Sequence, residues 1–361
     1  MRMMRMERSE KSRRYTVILG LVFFCVAYII LAARPMGHEL HFTPEWTLDI
    51  ASSVSEPRED DAMIPFRLGQ TMGYFTPDGR ILSNIPFPFK ASISGSLYAR
   101  YGSGSSSAEF FNARGESQGV INEYGFPFFS DDRIYVFLPG GSSFVKCDSQ
   151  GKREWLYESY APVTAFSSSV GGTVAGFADG TLVAFTPDGK ISQRFSPGGS
   201  DIEVILGADI SGDGRMVACV SGRNRQRFVV SEKTATHPRV VFHEYVTEDL
   251  TEQVLVRFSK RGDTVYYNGS GYLGVVDLRK SVSSHVPVRG KIVQVEESTV
   301  DDMVFVLSRD GNEYTVTALE PFDHTAAEFS FKARSSFMQV RGDAVFLGRD
   351  SKISCLTVSL R

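Results

Sequence analysis

Four short turns recur along the chain at nearly constant spacing. Residues 75–79 and 185–189 share the pentapeptide Phe-Thr-Pro-Asp-Gly, and similar segments lie at residues 111–115 and 147–151. The final glycines of the four segments are 36, 36 and 38 residues apart. In the shared pentapeptide the proline presets φ and the glycine accepts a positive φ. The spacing therefore predicts a repeated turn between two β-strands.

A second series of turns runs in phase with the first. Dipeptides such as Asp179-Gly180, Asn268-Gly269 and Asp310-Gly311 separate apolar runs, which is typical of β-hairpins. Eight hairpins of this kind occur, roughly 40 residues apart. Four-stranded units of this period predict an all-β fold, a single β-propeller whose blades bury their faces against one another around an axis. The pattern favours eight blades, with seven blades as the alternative.

The two ends of the repeat region complement each other. The last unit, residues 344–360, ends without a strand after its second turn, whereas residues 45–51 form a strand that has no unit of its own. The sequence around Trp46 resembles that around Trp155, which follows the third repeat's turn. We therefore expect residues 45–51 to supply the outer strand of the last blade, so that residues 45–361 close into a ring without an unpaired end.

The amino terminus has the composition of a membrane anchor. Residues 15–33 contain no charge and would rise about 28 Å as a helix, close to the hydrocarbon thickness of a bilayer. Six basic side chains in residues 1–14 predict a cytoplasmic tail, followed by a single-pass signal-anchor helix in the inner membrane. Residues 34–44 then form a tether to a periplasmic, extracytoplasmic domain. A cleavable signal peptide, or cleavage followed by lipidation of Cys25, is the alternative.

Charge and cysteine content narrow the function further. The first 34 residues carry +5 and the whole chain −3, so the rest of the chain carries −8. An acidic domain argues against nucleic acid as a partner, because phosphates require clustered Lys and Arg. Cys147, Cys219 and Cys355 are too few and too widely spaced for a disulfide framework, and we expect all three to be small buried apolar residues.

Several repeats carry the residues of a known family. Residues 185–191 and 147–155 resemble the repeats of PQQ-like, quinoprotein-type β-propellers, in which an apolar residue precedes a D-x-x-G-K turn and a Trp can follow in the outer strand. Residues 208–221 resemble the TolB/WD40-like repeat. Because the chain has only two Trp, the full Trp-docking pattern of quinoproteins is absent.

This resemblance implies a propeller fold and a function that is common in the family. Membrane-tethered or lipidated periplasmic propellers of this kind, such as the one in the outer-membrane β-barrel assembly machinery, are mostly protein-binding scaffolds. The implied function is therefore that of a non-enzymatic scaffold that binds envelope or membrane proteins, although a fold alone does not fix a function.

No motif predicts an enzyme. The sequence contains no nucleophile elbow, no Gly-rich phosphate loop and no HExxH motif, so we assign no catalytic, cofactor-binding or metal-binding residue. Residues 209–214 match the start of a calcium loop, but Val220 occupies the twelfth position, where such a loop needs a bidentate Glu, and a plain turn is favoured. A quinone-cofactor or metal-dependent propeller enzyme, or a ligand-sensing module, is the alternative function.

One cluster of aromatic residues is a candidate interface. Tyr124, Phe126, Phe128 and Phe129 lie close together before a loop. In propellers such residues mostly pack between blades, but if they were exposed together on one rim they would form a surface for a protein partner.

Overall fold

The computed structural model describes most of the chain after residue 39. It describes residues 40–360, except 103, 105, 236, 300, 301 and 321. It also describes Leu21, Phe24, Cys25 and Tyr28. These last four residues are helical and exposed. The predicted cytoplasmic tail, transmembrane helix and first part of the tether otherwise lie outside the described residues. Within the described part, no helix has the length and apolar character needed to cross a membrane.

The strands of the described residues form eight antiparallel sheets, seven with four strands and one with three. Each sheet is one blade, and most successive blades contact each other through their innermost strands. The fold is therefore an eight-bladed β-propeller, as the spacing of the hairpins predicted, and the seven-bladed alternative is wrong.

Blades 1 to 4 follow one another along the chain, and each runs from its innermost strand outward. Blade 1 contains β2 (Ile64–Leu68), β3 (Thr71–Phe75) and β4 (Ile81–Pro86). Blade 2 contains β5 (Lys90–Ile93), β6 (Leu97–Tyr101), β7 (Ala108–Asn112) and β8 (Ser117–Ile121). Blade 3 contains β9 (Phe126–Ser130), β10 (Arg133–Phe137), β11 (Ser143–Cys147) and β12 (Arg153–Glu158). Blade 4 contains β13 (Val163–Ser169), β14 (Gly172–Phe177), β15 (Leu182–Phe185) and β16 (Ile191–Phe195).

Blades 5 to 7 repeat this order, and blade 8 combines both ends of the domain. Blade 5 contains β17 (Ile202–Ile210), β18 (Met216–Arg223), β19 (Arg227–Glu232) and β20 (Arg239–Tyr245). Blade 6 contains β21 (Val256–Phe258), β22 (Thr264–Gly269), β23 (Tyr272–Asp277) and β24 (Val282–Pro287). Blade 7 contains β25 (Lys291–Glu297), β26 (Val304–Asp310), β27 (Glu313–Glu320) and β28 (His324–Lys332). Blade 8 contains β29 (Ser336–Arg341), β30 (Ala344–Arg349), β31 (Lys352–Leu360) and, outermost, β1 (Leu40–Asp49).

The position of β1 confirms the predicted closure of the ring. The Oγ atoms of Thr47 and Ser354 are 2.9 Å apart, and the amide of Ile50 donates a 2.8 Å hydrogen bond to the carbonyl of Ser351. The residue numbers fall along one strand as they rise along the other, so β1 is antiparallel to β31. The first described strand of the domain thus completes the last blade.

The closing strand begins earlier than the sequence predicted. It starts at Leu40 instead of residue 45, so residues 40–44 belong to the propeller and not to the tether. The physical reason is that Leu40 and Phe42 are partly buried against the apolar cluster between blades 7 and 8. The Phe42 ring lies 5.1 Å from that of Phe329, measured between centroids.

Blade 1 departs from the expected four-stranded unit. The turn at residues 75–79 lies between its second and third strands, whereas the identical turn at residues 185–189 lies between the third and fourth strands of blade 4. By comparison with the other repeats, blade 1 therefore lacks the strand nearest the axis. Its first strand packs inward instead, with the Phe66 ring stacked 6.4 Å from that of Phe337 in blade 8.

The connections between the strands of blades 2 to 8 form two rims. The lower rim carries the turns between first and second strands, and hydrogen bonds join turns of neighbouring blades. The Ser169 hydroxyl donates to the Ser211 carbonyl at 2.9 Å, and the Ser298 hydroxyl donates to the Gly342 carbonyl at 2.7 Å. The upper rim carries the turns between second and third strands and the connections between blades. Because β1 pairs with Ser351 near the upper rim, its first residue, Leu40, lies at the lower rim.

Trp46 and Trp155 occupy equivalent positions between blades. The indole nitrogen of Trp155 donates a 3.2 Å hydrogen bond to the carbonyl of Pro187, and that of Trp46 donates a 3.1 Å bond to the carbonyl of Pro77. Each Trp lies on an outer strand and contacts the Phe-Thr-Pro-Asp-Gly turn of the next blade. The Trp docking of PQQ-like repeats is therefore present at two interfaces.

Candidate functional site

The predicted aromatic cluster is divided by the geometry of one strand. Tyr124 lies in the connection before β9, and Phe126, Phe128 and Phe129 lie within β9, the innermost strand of blade 3. Side chains alternate between the two faces of a strand, so Phe126 and Phe128 share one face and Phe129 points to the other.

Phe129 is not a surface residue, which corrects the predicted interface. It is 4% exposed, and its ring lies 6.1 Å from that of Phe110 in blade 2, between centroids. Its amide also donates a 3.1 Å hydrogen bond to the Ser92 hydroxyl. Phe129 therefore belongs to the core between blades 2 and 3.

The other three residues are exposed at the upper rim. Tyr124 is 52% exposed, Phe126 41% and Phe128 39%. Phe128 also makes an edge-to-face contact with Phe166 of blade 4, at 5.7 Å between ring centroids. The aromatic surface therefore extends from blade 3 toward blade 4.

A lysine from blade 2 lies on this surface. The Nζ atom of Lys90 is 4.3 Å from the ring centroid of Phe126 and 5.6 Å from that of Phe89, which is itself exposed. Tyr101 lies opposite Lys90 in the strand pairing and 6.3 Å from Phe126, between ring centroids. The contacts of Lys90 with Phe126 and Phe89 are cation–π interactions, which hold the ammonium near the rings while leaving its N–H donors available.

A second cation borders the same surface. The Arg67 side chain of blade 1 is exposed, lies 5.0 Å from the ring centroid of Phe87, and donates through Nη1 to the Ala91 carbonyl at 3.4 Å. Burial raises the pKa of the Tyr101 hydroxyl, and the charge of Arg67 opposes that increase. Because Ala91 follows Lys90 in β5, the hydrogen bond to its carbonyl places the Arg67 side chain beside the aromatic surface.

We call this surface the upper-rim patch. It consists of two cations and five aromatic residues: Arg67, Phe89, Lys90, Tyr101, Tyr124, Phe126 and Phe128. Among the described residues, neither cation of the patch has an ion-pair partner. Glu123, the acidic residue beside Tyr124 in the sequence, is engaged by Arg153 at 2.7 Å. Neither cation was predicted from the sequence, because both come from blades 1 and 2 and lie far from the cluster along the chain.

A second recess lies at the lower rim between blades 6 and 7. It has a volume of about 400 Å³, and Tyr266 and Phe322 are among its lining residues. The charges at its mouth are paired with each other: Arg261 with Asp302, and Arg279 with Asp263. A ligand there would have to compete with these ion pairs, so the upper-rim patch is the better candidate site.

In the segment that resembles a calcium loop, residues 209–214, the first carboxylate forms hydrogen bonds within the protein. The Asp209 carboxylate accepts hydrogen bonds from the Ser167 hydroxyl and, at 2.6 Å, from the Phe258 amide. It thereby joins the innermost strands of blades 4, 5 and 6, and burial raises its pKa. Within the described residues, no group of three or more His, Cys, Asp or Glu side chains is arranged to hold a metal ion.

These features define the class of the protein as a closed, eight-bladed β-propeller with PQQ-like repeats. The chain belongs to the family described as "beta-propeller protein", whose model matches residues 6–360. A protein of Treponema pallidum (strain Nichols), described as uncharacterized, is 30% identical over 359 residues; the alignment covers 97% of this chain and 95% of the relative.

Solved structures share the fold at low sequence identity. The structure of BamB from Moraxella catarrhalis matches with a TM-score of 0.59 and 13% identity, covering 88% of this chain and 100% of BamB. The computationally designed Ika8 protein matches with a TM-score of 0.58 and 12% identity, covering 84% of this chain and 98% of Ika8. At these identities the matches support the propeller fold alone.

Proposed function

We propose that this protein is a non-enzymatic scaffold of the bacterial cell envelope that binds another envelope protein through the upper-rim patch. Residues 15–33 would hold it in the inner membrane, with the propeller on the periplasmic side. The observation that carries the proposal is that Tyr124, Phe126 and Phe89 are all exposed and that the rings of Phe126 and Phe89 both lie near the ammonium of Lys90. Exposed aromatic residues that lie next to each other are typical of protein interfaces.

The location of the patch supports this role. Leu40, at which the closing strand begins, lies at the lower rim, whereas the patch lies at the upper rim. A membrane anchor that precedes Leu40 would join the propeller at the rim opposite the patch.

The family resemblance points in the same direction. Periplasmic propellers with PQQ-like repeats are mostly protein-binding scaffolds, and the fold of this chain matches that of BamB. A propeller is a rigid support for such a surface, because its strands are paired within blades and its blades are packed around the axis. The patch residues come from strands or from short connections between them.

Crosslinking in intact membranes tests the proposal. The full-length protein is crosslinked in membranes and recovered, and the products are compared with those of a double variant, Tyr124→Ala with Phe126→Ala. We expect a specific heteromeric product for the native protein and its loss in the double variant. Val170→Ala is the matched control, because Val170 is 78% exposed at the lower rim. Recovery of the native protein only as a lone monomer, or an unchanged product in the double variant, would contradict the proposal.

The membrane anchor has its own test. We expect full-length protein to remain in the membrane fraction after alkaline extraction and to retain residues 1–33 by mass spectrometry. Protease added to spheroplasts is expected to cleave the part of the protein on the periplasmic side, which includes the propeller, but not the cytoplasmic tail, residues 1–14. A mature protein that begins after residue 33, or at Cys25, would show that the segment is a cleaved signal sequence and not an anchor.

A further inference from the structure

We infer that the partner segment bound by the upper-rim patch is an extended acidic peptide, whose carboxylates face Arg67 and Lys90 while its apolar side chains lie on the aromatic rings. This inference rests on the proposed scaffold function and specifies the chemistry of the partner. It follows from the charges of the patch, the shape of the patch and the charge of the remaining domain.

The two cations of the patch have hydrogen-bond donors available for a ligand. Lys90 contacts aromatic rings on two sides, and the ammonium group of a lysine has three N–H donors. Arg67 uses one N–H group on the Ala91 carbonyl and lies over the Phe87 ring. Neither forms an ion pair with any described residue, so both charges are available to carboxylates of a ligand. Charge-assisted hydrogen bonds of this kind are among the stronger contacts a surface can offer.

The patch has the shape of a strip that crosses several blades. Its residues come from three successive blades: Arg67 from blade 1, Lys90 from blade 2 and Phe126 from blade 3. Phe128 then continues the surface to Phe166 of blade 4. A strip that crosses blades in this way fits an extended chain with alternating acidic and apolar side chains better than a small ligand, which binds in an enclosed pocket.

The charge of the patch is opposite to that of the rest of the domain. Residues 35–361 carry −8, whereas the patch itself carries two cations and no acidic residue. An acidic segment is repelled by most of this surface and attracted at the patch, which favours a single site. A second copy of this chain docked through the same patch would place like charges together, because a two-fold interface brings identical surfaces into contact.

Peptide binding to the full-length protein in detergent micelles tests the inference. The probe is a fluorescent 12-residue peptide in which Glu or Asp alternates with Phe or Leu. Its control is the same peptide with Gln and Asn in place of the acidic residues. We expect the acidic peptide to bind at least tenfold more tightly, and its binding to weaken with increasing salt because exposed charges are screened.

Substitutions in the patch identify the groups involved. Lys90→Ala and Arg67→Ala are each expected to weaken the acidic peptide about 3- to 10-fold, whereas Lys90→Arg should retain most of the affinity. Lys352→Ala removes an exposed cation from blade 8 and should leave binding unchanged. Unaltered thermal unfolding of each variant would show that the fold is intact.

The outcomes separate this inference from the scaffold proposal. Equal binding of the acidic and neutral peptides would overturn the inference that the partner segment is acidic. Unchanged binding of the acidic peptide by the double variant, Lys90→Ala with Arg67→Ala, would overturn it as well. So would tighter binding to a single-stranded oligonucleotide or to vesicles containing phosphatidylglycerol. If membrane crosslinking still recovers a partner that Tyr124→Ala with Phe126→Ala abolishes, the scaffold function stands while the charge chemistry fails. Loss of both results would reject both proposals.

Discussion

The indole nitrogen of Trp46 donates a 3.1 Å hydrogen bond to the carbonyl oxygen of Pro77, across the point where the ring closes. Trp46 belongs to the closing strand in blade 8, and Pro77 belongs to the turn of blade 1. The rings of Phe346 and Phe75 lie 5.9 and 6.3 Å from that of Trp46, between centroids. The closure therefore joins blades 8 and 1 by side-chain docking as well as by strand pairing.

Replacing Trp46 tests the contribution of this docking. Trp46→Ala removes the hydrogen bond and the aromatic packing, and we expect a loss of about 2–4 kcal/mol in the free energy of unfolding. Trp46→Phe keeps much of the packing and should lose only about 0.5–1.5 kcal/mol. Urea unfolding monitored by circular dichroism measures both values. A Trp46→Ala protein as stable as the native one would show that the indole does not hold the closure.

Glycine substitutions test the docking from the side of the turns. Gly189 has a φ of 83°, and a Cβ there would lie 2.5 Å from Cγ of Trp155; at Gly79 the corresponding distance to Trp46 is 3.0 Å. Gly115 has nearly the same φ, 85°, but the nearest atom is 3.8 Å away. Gly115→Ala should therefore cost only the backbone strain, about 1–2 kcal/mol.

The other two glycine variants should be less stable than this control. Gly189→Ala adds a clash with a large ring, so we expect an additional loss of about 1–3 kcal/mol, and Gly79→Ala should fall between the two. Thermal unfolding of the three variants gives the order directly. Equal losses at all three positions would contradict the close contact of the turns with Trp46 and Trp155.

The buried carboxylate of Asp209 predicts an unusual pH dependence. Burial raises its pKa in the folded protein above the unfolded value, so the folded state binds the proton more readily. Its contribution to stability is therefore present at low pH and is lost as the pH rises through the raised pKa. We expect Asp209→Asn to gain stability relative to the native protein between pH 4 and pH 8, measured by thermal unfolding.

Asp148 provides a control of opposite sign. Backbone amides of Lys152 and Gln150 donate to its carboxylate and lower its pKa. The ionised group is thus favoured in the folded state, and its contribution is lost as the pH falls through the lowered pKa. Asp148→Asn should therefore be least stable relative to the native protein near neutral pH. The same pH trend for both variants would contradict these assignments.

The division of the aromatic cluster leads to a further prediction. Phe129→Ala empties a buried site between blades 2 and 3 and should cost about 3–5 kcal/mol. Phe126→Ala changes an exposed ring and should cost less than about 1 kcal/mol. Unfolding of the two variants under the same conditions separates core from surface, and a large loss in Phe126→Ala would mean that the patch is part of the core.

Local sequence signals were sufficient to predict the ring. The pentapeptides at residues 75–79 and 185–189 mark real turns, and the strand around Trp46 does complete the last blade. These predictions succeeded because turn chemistry and strand alternation act over a few residues. The alternation within β9 also contains the information that separates Phe129 from Phe126 and Phe128.

Features that depend on distant strands could not be predicted in the same way. Lys90 meets Phe126 because neighbouring blades place their innermost strands side by side, and no local pattern records that contact. The missing axial strand of blade 1 is likewise compensated by packing against blade 8, through Phe66 and Phe337. The docking of Trp46 on Pro77 was not predicted, because the two residues lie in different blades and meet only through ring closure.

A cysteine pair across the closing strand tests the closed ring most directly. Thr47→Cys with Ser354→Cys places two thiols where hydroxyl oxygens are 2.9 Å apart, whereas Thr43→Cys with Ser354→Cys is offset by four residues, about 13 Å along the strand. Under mild oxidation we expect an intramolecular disulfide in the first pair, seen as a shift on non-reducing gels, and none in the second pair or in the single variants. No disulfide in the first pair, or one formed only between molecules, would contradict the closure of the propeller by β1.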